Sequence, residues 1–546
     1  MTSEAPTPSA TPRTRAKARH ILDNYYIGPA RDDHVLEVWG YSNEMSYAPG
    51  DEVALHVSTT AATWDLEIGR DGLTYEPVLT ETGLSGQHHD TPAQCSVDGC
   101  DWPVAYRFTV PSHWQPGAYL VTLRAQRDGD RVEEHHLFVL RRAAADAPPP
   151  LVLVCATGTW LAYNCWGGSN HYEGITGANA DAFAPSVSTQ RPWTRGFCAL
   201  PAGAPRAVPE RPPLPGDMVR YPYMEWAYAY GYSKKYASAG WASYERHFVR
   251  WAEAQGYDLD IVTQHDLHRD PSLLARYACA VVVGHDEYWS AGMRDAVDHF
   301  VENGGRVARF AGNFLWQTRI EDEGKRQVCY KYDAERDPLF DSPDRSLLTT
   351  TWEAPPVNRP GALTFGVNAL QGTYAGLGNC VGGGPGGFTV YRPDHWAFAH
   401  AQLGYGDLLG RQSRIFGYEV DGLDYRVDDG LPYPTGADGA STDIEILAMG
   451  LATNVEADHC VRGETLYIGT ADAEFKARAL HGEANPETVA RSTRGNGVIV
   501  NWQRGQGEVF TAATCEWVAG LMRGDKQVEQ VTRNVLDRFG TRQTDS

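Results

Sequence analysis

The chain is short of positive charge. It has 48 Lys and Arg against 69 Asp and Glu, which gives a formal net charge of −21 at pH 7. A protein whose main task is to grip nucleic acid or an anionic membrane needs a basic surface, so this balance disfavours both classes. The sequence also lacks any run of the roughly 18–20 apolar residues that a bilayer-spanning helix needs. We therefore expect neither nucleic acid nor a membrane as a partner.

Two further absences concern location and metal binding. The first twenty residues, MTSEAPTPSATPRTRAKARH, lack the apolar central stretch of a secretory signal. Residues 1–33 are therefore predicted to be a polar flexible tail, and a cytoplasmic location is expected. The ten cysteines include no CxxC pair, which argues against a zinc ribbon or a thioredoxin-like site. In the cytosol we expect Cys95 and Cys100 to be free thiols rather than a local bridge.

With 546 residues the chain is too long for one ordinary core, and size scaling predicts about two to four domains. Residues 34–142 alternate apolar and polar side chains in short runs, which is typical of a β-sandwich. Residues 143–150 contain three prolines and are predicted to be a semi-rigid linker. The turn signals inside the sandwich are Pro49-Gly50, Asp71-Gly72, Pro116-Gly117 and Asp128-Gly129.

Residues 151–546 have a different texture and are predicted to form an α/β domain with Gly-rich insertions. The run LVLVC at 151–155 is apolar throughout, as expected of a strand that is buried on both faces. Strands and helices then alternate with short connections, which indicates a parallel sheet with right-handed crossovers, flavodoxin-like in type. Ser290 is predicted to cap a helix that stops at Gly304-Gly305, and Asp270 to cap a short helix in DPSLLARY.

Polar and aromatic residues crowd three turns that follow predicted strands: TGTWLAYN, GHDEYWS and AGNFLWQTR. In open α/β sheets ligands lie beyond the carboxyl ends of the strands, so these loops are expected to converge if their strands are neighbours. His285 and Glu287 in the second turn are two apart and point the same way on an extended strand end. They are interpreted either as a ligand or acid/base pair, or as solvated charges on a capping turn.

The same turn lacks a nucleophile. Neither Cys nor Ser precedes Ser290 there, and no G-x-S-x-G elbow is present. Covalent thiol catalysis needs a low-pKa thiolate in an accessible pocket, and Cys279 lies inside an apolar strand. A thiol mechanism is therefore not expected.

Several of these motifs resemble the large subunit of N,N-dimethylformamidase. They are TWLAYNCWGG, GHDEYWS, the AGN of AGNFLWQ, YKYD at 330–333, GYEVDG at 417–422 and GNGVIVNW. The resemblance covers roughly residues 150–540. It implies a domain similar in fold to class I glutamine amidotransferases, and a mononuclear iron held by two tyrosines and one glutamate.

The resemblance also implies roles for individual residues. Glu287 matches the carboxylate ligand of the metal, and Tyr163 matches one of the tyrosines. Asn313 matches a substrate-orienting amide, Lys331 and Glu419 match polar pocket residues, and His285 matches the family's histidine. The second tyrosine is not assigned, because the chain reads RPW, with Trp193, where an R-P-Y segment is expected. The nearby alternatives are Tyr172, Tyr221, Tyr223 and Tyr244.

This donor set is chemically coherent, because phenolate and carboxylate oxygens suit a hard ion such as ferric iron. A bound metal keeps a phenol deprotonated at neutral pH, polarises a carbonyl and activates water. Glu419 is then the predicted general base, Asn313 and His285 the predicted oxyanion donors, and Lys331 either holds Glu419 ionised or binds the oxyanion. The predicted activity is hydrolysis of a small amide at its C–N bond.

Two other interpretations stay open. One is a non-metal hydrolase of the same fold that uses Glu287, His285 and Glu419. The other is a catalytically inactive protein whose sandwich binds a carbohydrate or a partner, which Trp193 keeps in consideration. For the first interpretation the partner is a small amide substrate, and both a homo-oligomer and a small accessory subunit remain open.

Overall fold

The computed structural model describes residues 34–174, 182–210, 222–374, 386–453 and 471–541. The predicted tail at 1–33, Tyr221 and most of the Gly-rich run at 381–388 lie outside the described residues.

The first part of the described chain is built from strands that form two sheets. Alternate side chains of these strands meet in one core that includes Val38, Leu66, Val121 and Phe138, which is the packing expected of a sandwich. One sheet has the order β1-β3-β6 and the other β2-β8-β7-β4-β5. The elements are β1 (Val38–Ser42), β2 (Ser46–Tyr47), β3 (Glu52–Thr59), β4 (Thr63–Asp71), β5 (Tyr75–Ser85), α1 (Cys95–Asp98), β6 (Val104–Thr109), β7 (Gly117–Arg127) and β8 (Asp130–Leu140).

The predicted alternation of strands and helices over about 151–320 is present, but TGTWLAYN, expected to be a turn, forms a helix over Thr157–Tyr163. The elements are β9 (Leu151–Cys155), α2 (Thr157–Tyr163), β10 (Ser186–Ser188), α3 (Pro222–Tyr230), α4 (Glu245–Ala254), β11 (Leu259–Thr263), α5 (Gln264–Arg269), β12 (Cys279–His285), β13 (Tyr288–Ser290), α6 (Ala291–Glu302), β14 (Arg306–Gly312), β15 (Trp316–Glu321) and β16 (Arg326–Val328). Short 3₁₀ turns occupy Leu273–Arg276, Asp322–Gly324 and Lys331–Arg336.

The remaining described residues contain more strand than the sequence indicates. The elements are α7 (Ala362–Phe365), β17 (Asn368–Tyr374), β18 (Phe388–Val390), a 3₁₀ turn Trp396–Phe398, β19 (Leu408–Leu409), β20 (Glu419–Gly422), β21 (Tyr425–Asp428), β22 (Leu431–Pro434), β23 (Glu445–Thr453), α8 (Ala471–His481), α9 (Pro486–Ser492), β24 (Arg494–Arg504), β25 (Gly507–Ala512), α10 (Trp517–Met522) and α11 (Lys526–Phe539).

A nine-stranded sheet organises this second part, in the order β11-β9-β12-β14-β25-β24-β23-β18-β19. The first five strands pair in parallel and the last four are added antiparallel. The predicted mixed α/β class is therefore confirmed. Successive residues of β9, such as Val152 and Leu153, enter apolar clusters on opposite faces of the sheet, which explains its unbroken apolar run.

Local signals set two helix ends. Ser290 caps α6 as predicted, because its Oγ accepts the backbone N–H of Met293 at 3.2 Å. The prediction that Asp270 caps a helix is wrong: the segment shortens to the 3₁₀ turn preceded by Ser272. The Asp270 carboxylate instead accepts the N–H of Ser272 at 3.0 Å, so it stabilises a tighter local turn.

The two parts pack against each other. Ala118, Leu137 and Val139 of the sandwich belong to the same apolar cluster as Leu151 and Leu153 of the large sheet. In the described part of the chain, no helix combines the length and the apolar character needed to cross a bilayer.

Candidate active site

The site lies where β9, β12 and β14 end. These strands are neighbours in the sheet, so their carboxyl ends meet at one edge. Tyr163 is the last residue of α2, which follows β9. His285 ends β12, with Glu287 two residues further on, and Asn313 directly follows β14. The three predicted turns therefore converge.

The Glu287 carboxylate is the centre of one group of contacts. Tyr163 donates its hydroxyl to Oε2 at 3.0 Å, although the two residues are 124 positions apart. The Tyr172 hydroxyl lies 2.6 Å from both carboxylate oxygens, and the indole N–H of Trp316 donates to Oε1 at 2.7 Å. The two phenol rings lie 4.3 Å apart between centroids. One buried carboxylate thus meets two phenols and one indole.

The backbone around Glu287 is held on both sides. Thr159 of α2 accepts the Glu287 N–H through its Oγ1 at 2.8 Å. The Glu287 carbonyl accepts the N–H of Trp316 at 2.9 Å. These bonds tie the end of β12 to α2 and β15, so the carboxylate is fixed by three elements of the second part.

A second group lies beside the first and joins His285, Glu419 and Asn313. The Nε2 of His285 lies 2.8 Å from Glu419 and 3.3 Å from Glu287. Its Nδ1 donates to the carbonyl of Ser238 at 2.7 Å, which fixes the ring. The side-chain amide of Asn313 donates to Glu419 at 2.6 Å. Asn313 Oδ1 is buried and has no hydrogen-bond partner among the described residues.

The charges in the site follow from burial and from these contacts. Burial disfavours a charged imidazole, but the adjacent Glu419 and Glu287 outweigh it and raise the pKa of His285 to about 10. Burial also raises the pKa of Glu419, whereas the hydrogen bond and charge of His285 lower the pKa of Glu287 despite its burial. Burial and the Glu287 charge raise the pKa of both phenols, Tyr163 and Tyr172, well above 10.

Lys331 lies on the tyrosine side of the site. Its Nζ is 3.4 Å from the ring centroid of Tyr172 and donates to the carbonyl of His171 at 3.1 Å. A cation over a phenol face is attracted by the ring. Its charge also contributes to the lowered pKa of Glu287. Lys331 thus lies against Tyr172, and its predicted role of holding Glu419 ionised or binding an oxyanion stays a prediction.

A buried ion cluster supports the loop that carries Asn313. Arg309 donates to Asp286 at 3.2 Å and to Asp421 at 2.9 Å. The other oxygen of Asp421 accepts the backbone N–H of Asn313 at 2.7 Å. Asn313 has a φ of +66°, a left-handed conformation that asparagine tolerates better than most residues. The cluster thus fixes the backbone of Asn313 and thereby the position of its side-chain amide.

The described candidates for the second tyrosine make different contacts. Trp193 packs its ring against Trp160 and Phe197, with centroids 6.1 and 6.4 Å away. Tyr223 stacks edge-on against Tyr236, and the Tyr244 hydroxyl donates to the carbonyl of Ala237. Tyr172 is the candidate whose hydroxyl reaches Glu287. Sequence reasoning left Tyr172 unassigned and missed Trp316 and Ser238, because nothing in the local pattern distinguishes them from packed or loop residues.

Comparison with known proteins shows to which family the chain belongs. Residues 67–530 match the family model described as N,N-dimethylformamidase beta subunit-like, C-terminal. The chain belongs to this family. The match begins inside the sandwich, ahead of the motifs at about residue 150 that suggested the resemblance.

Two curated relatives carry the same name. The N,N-dimethylformamidase beta subunit of Paracoccus aminophilus is 26% identical over 310 residues, which covers 54% of this chain and 36% of that protein. The N,N-dimethylformamidase beta subunit of an Alcaligenes species is 22% identical over 468 residues, or 81% of this chain and 55% of that protein. Neither alignment reaches two thirds of the relative's length.

This member of the dimethylformamidase family presents two donor groups that a metal ion can use. One is Tyr163, Tyr172 and Glu287, all hard oxygen donors. The other is His285, Glu419 and Cys515, whose ligand atoms lie within 4.8 Å of one another. The Cys515 sulfur is a softer donor than the oxygens of the first group, and burial raises the pKa of its thiol well above the ordinary value.

Proposed function

We propose that this chain hydrolyses a small amide at its C–N bond, and that Tyr163, Tyr172 and Glu287 hold an iron ion for that reaction. The observation that carries the proposal is the meeting of two phenol hydroxyls on one buried carboxylate. In a purely structural core, two buried phenols with raised pKa values would only donate hydrogen bonds to one carboxylate. Their meeting at Glu287 therefore favours a binding role.

The donor chemistry fits the ion. Two phenolates and a carboxylate would present three negative charges and only hard oxygen atoms, which suits a trivalent cation. The positive charge of Lys331 over the Tyr172 ring favours loss of the phenol proton. When bound, the iron would polarise the amide carbonyl and lower the pKa of a water molecule.

The tyrosine group is a better candidate than the group of His285, Glu419 and Cys515. A thiolate at Cys515 would suit a softer ion, whereas the tyrosine group offers only hard oxygen atoms. Moreover, His285 and Glu419 are then left for acid and base chemistry, which a ligand role would prevent. We therefore place the metal at Glu287 and the proton transfers at Glu419.

The residues on the Glu419 side divide the chemistry among them. Glu419 would take a proton from the attacking water, and the raised pKa that burial gives it makes it a better base. His285, held by the Ser238 carbonyl, points its protonated Nε2 at Glu419 and Glu287; it would give this proton to the leaving nitrogen and take the proton held by Glu419 in its place. Asn313 would orient the reactants, since its Oδ1, which has no partner among the described residues, can accept from the attacking water and its Nδ2 can donate to the developing oxyanion.

The proposal extends to the fold, the domain boundaries, a partner and the location of the protein. In chain order the five parallel strands are arranged 2-1-3-4-5, which is the flavodoxin-like order and supports that fold for this part. Residues 34–142 and 151–546 are proposed as its two domains, with 143–150 as the linker. Because both relatives are named as beta subunits, we propose a small accessory subunit as partner. A cytoplasmic location stays a prediction.

Metal analysis together with spectroscopy tests the proposal. We expect the purified protein to contain about one iron per chain and to show the visible absorption of a phenolate bound to ferric iron. Tyr172→Phe should weaken that absorption and lower the iron content, and Glu287→Gln should abolish both. Hydrolysis of N,N-dimethylformamide, measured as release of the amine, should fall with them.

Tyr119→Phe is the matched control, because Tyr119 is a buried tyrosine of the sandwich whose hydroxyl meets only a backbone carbonyl, at Gln115. It should keep both iron and absorption. Amide hydrolysis that persists after the metal is removed would support the non-metal hydrolase instead. Protein without iron, and with the same activity in Glu287→Gln, would overturn the proposal.

A further inference from the structure

A second cavity, of about 280 Å³, opens on the side of the molecule where α4 begins. Its walls come from the segment at 200–206, from the stretch at 236–250 and from Met522 at the end of α10. Ala237 lines the cavity, and the next residue, Ser238, accepts the hydrogen bond of His285. The cavity is therefore next to the candidate active site but is lined by other residues.

One side of the cavity is rich in cations. Arg206, Arg246, His247 and Arg250 all line it. Arg206 is held by Glu516, with two nitrogen–oxygen distances of 2.9 Å, and Arg246 is held by Asp71 at 2.7 Å. Both charges are thus already balanced and both side chains are fixed.

Arg250 is different. It is exposed, and no carboxylate of the described residues lies within ion-pair distance of it. Arg246 and Arg250 are one helical turn apart on α4, so they face the same side. Burial together with the three arginines lowers the pKa of His247 to about 3, which is a sign of positive potential at this wall. The cavity has one positive charge without a partner among the described residues.

Other parts of the lining are apolar. Leu200, Pro201, Ala204, Ala237 and Met522 form these parts and offer few polar atoms. A volume of about 280 Å³ is at the small end of ligand sites, so the cavity suits a compact molecule. A hydrated inorganic ion would leave the apolar wall without a contact, and a neutral apolar molecule would leave Arg250 without one.

We propose that this cavity binds a small organic carboxylate, with the carboxylate beside Arg250 and the apolar part against Leu200, Ala237 and Met522. A single negative charge matches the single unbalanced guanidinium, and a planar carboxylate matches the guanidinium fork. The site is independent of the proposed hydrolysis, because its lining includes neither Glu287 nor Tyr163 nor Tyr172.

Titration calorimetry on the full chain tests this with three probes: benzoate, its neutral counterpart benzamide, and inorganic phosphate. We expect benzoate to bind, and benzamide and phosphate to bind about tenfold more weakly or worse, because each lacks one of the two contacts. Benzamide binding as tightly as benzoate would overturn the role of Arg250. Phosphate binding as tightly as benzoate would overturn the role of the apolar wall.

Variants separate this cavity from the active site. Arg250→Gln should weaken benzoate about tenfold, and Arg250→Lys should weaken it less, because the charge remains. Ala202→Phe places a ring from an exposed lining residue into the cavity and should block benzoate. Arg131→Gln, a change at an exposed arginine of β8, should leave binding unchanged.

Glu287→Gln decides where benzoate binds. It should leave the affinity unchanged even if it abolishes hydrolysis. Benzoate binding that is lost in Glu287→Gln and retained in Arg250→Gln would place the ligand in the active site and overturn the proposal, without bearing on the hydrolase itself.

Discussion

Glu287 shows how much a single residue of this site depends on others. Its two oxygens accept from Tyr163, Tyr172 and Trp316, and His285 lies 3.3 Å away. A buried carboxylate is costly unless hydrogen bonds and a positive charge surround it, and both are present here. Negative charge is therefore concentrated at Glu287 and balanced by its hydrogen-bond donors and by His285. A concentration of negative charge is also what a bound cation requires.

The role of Asn313 can be tested by removing its side-chain amide. Asn313→Gly removes the amide while keeping a residue that accepts the φ of +66° without strain. If the amide orients the substrate and stabilises the oxyanion, the turnover number should fall by about 10²–10³-fold. The free energy of unfolding should fall by about 1–3 kcal/mol, since the backbone is not strained but the buried Glu419 carboxylate loses a hydrogen bond. Steady-state kinetics and urea unfolding measure the two effects.

Asn358→Gly is its matched control. Asn358 also has a positive φ, of 45°, but is exposed. Its replacement should leave turnover unchanged. Equal activity in Asn313→Gly and the native protein would show that the amide takes no part in the reaction.

At the scale of elements, the site depends on how closely β14 and β20 approach. The two strands are far apart in the chain, yet Gly312 at the end of β14 lies against the backbone of Glu419. A Cβ on Gly312 would lie 2.6 Å from the Glu419 carbonyl oxygen and 2.8 Å from the Cys515 nitrogen. The absence of a side chain at 312 is therefore what lets Glu419 reach His285 and Asn313.

Gly312→Ala should push β20 away from β14. We expect amide hydrolysis to fall about tenfold or more, with a loss of roughly 1–3 kcal/mol in the free energy of unfolding from the overpacked contact. Gly404→Ala is the control, because Gly404 is exposed and the nearest atom to an added Cβ is an Asp407 side-chain oxygen at 3.4 Å. Kinetics that are equal in the two variants would argue that the position of Glu419 is not critical.

The elements also show what the sequence can and cannot predict. The first strand at 151–155 and most strands and helices between 245 and 312 were predictable because buried parallel strands are apolar throughout and Ser290 marks a helix start. The helix at Thr157–Tyr163 was not, since its sequence was interpreted as a turn. The strands between 368 and 434 were not, since their pairs, such as β17 with β20, join segments distant in the chain and their residues carry no clear alternation. Motifs indicated Tyr163, Glu287, Asn313 and Glu419. Tyr172 becomes a candidate only through its contact with Glu287 in the three-dimensional structure.

At the scale of the whole molecule, buried polar contacts connect the sandwich to the α/β part. Asp71 at the end of β4 accepts the indole N–H of Trp241 at 2.7 Å and the guanidinium of Arg246 at 2.7 and 3.1 Å. Glu134 of β8 pairs with Arg195 in the same way across the contact. Because these groups are largely buried, each contact counts for more than a surface ion pair. The two parts should therefore unfold together.

Asp71→Asn tests that coupling. The amide keeps one acceptor for Trp241 or Arg246 but loses the charge, so we expect the free energy of unfolding to fall by about 2 kcal/mol. Urea unfolding followed by tryptophan fluorescence and by far-UV circular dichroism should give one coincident transition in both proteins, shifted to lower urea in the variant. Asp428→Asn, at an exposed pair with Arg426, should shift the transition by less than about 0.5 kcal/mol. Two separate transitions in the native protein, with Asp71→Asn moving neither, would mean that the sandwich folds independently and that these contacts add little to the whole.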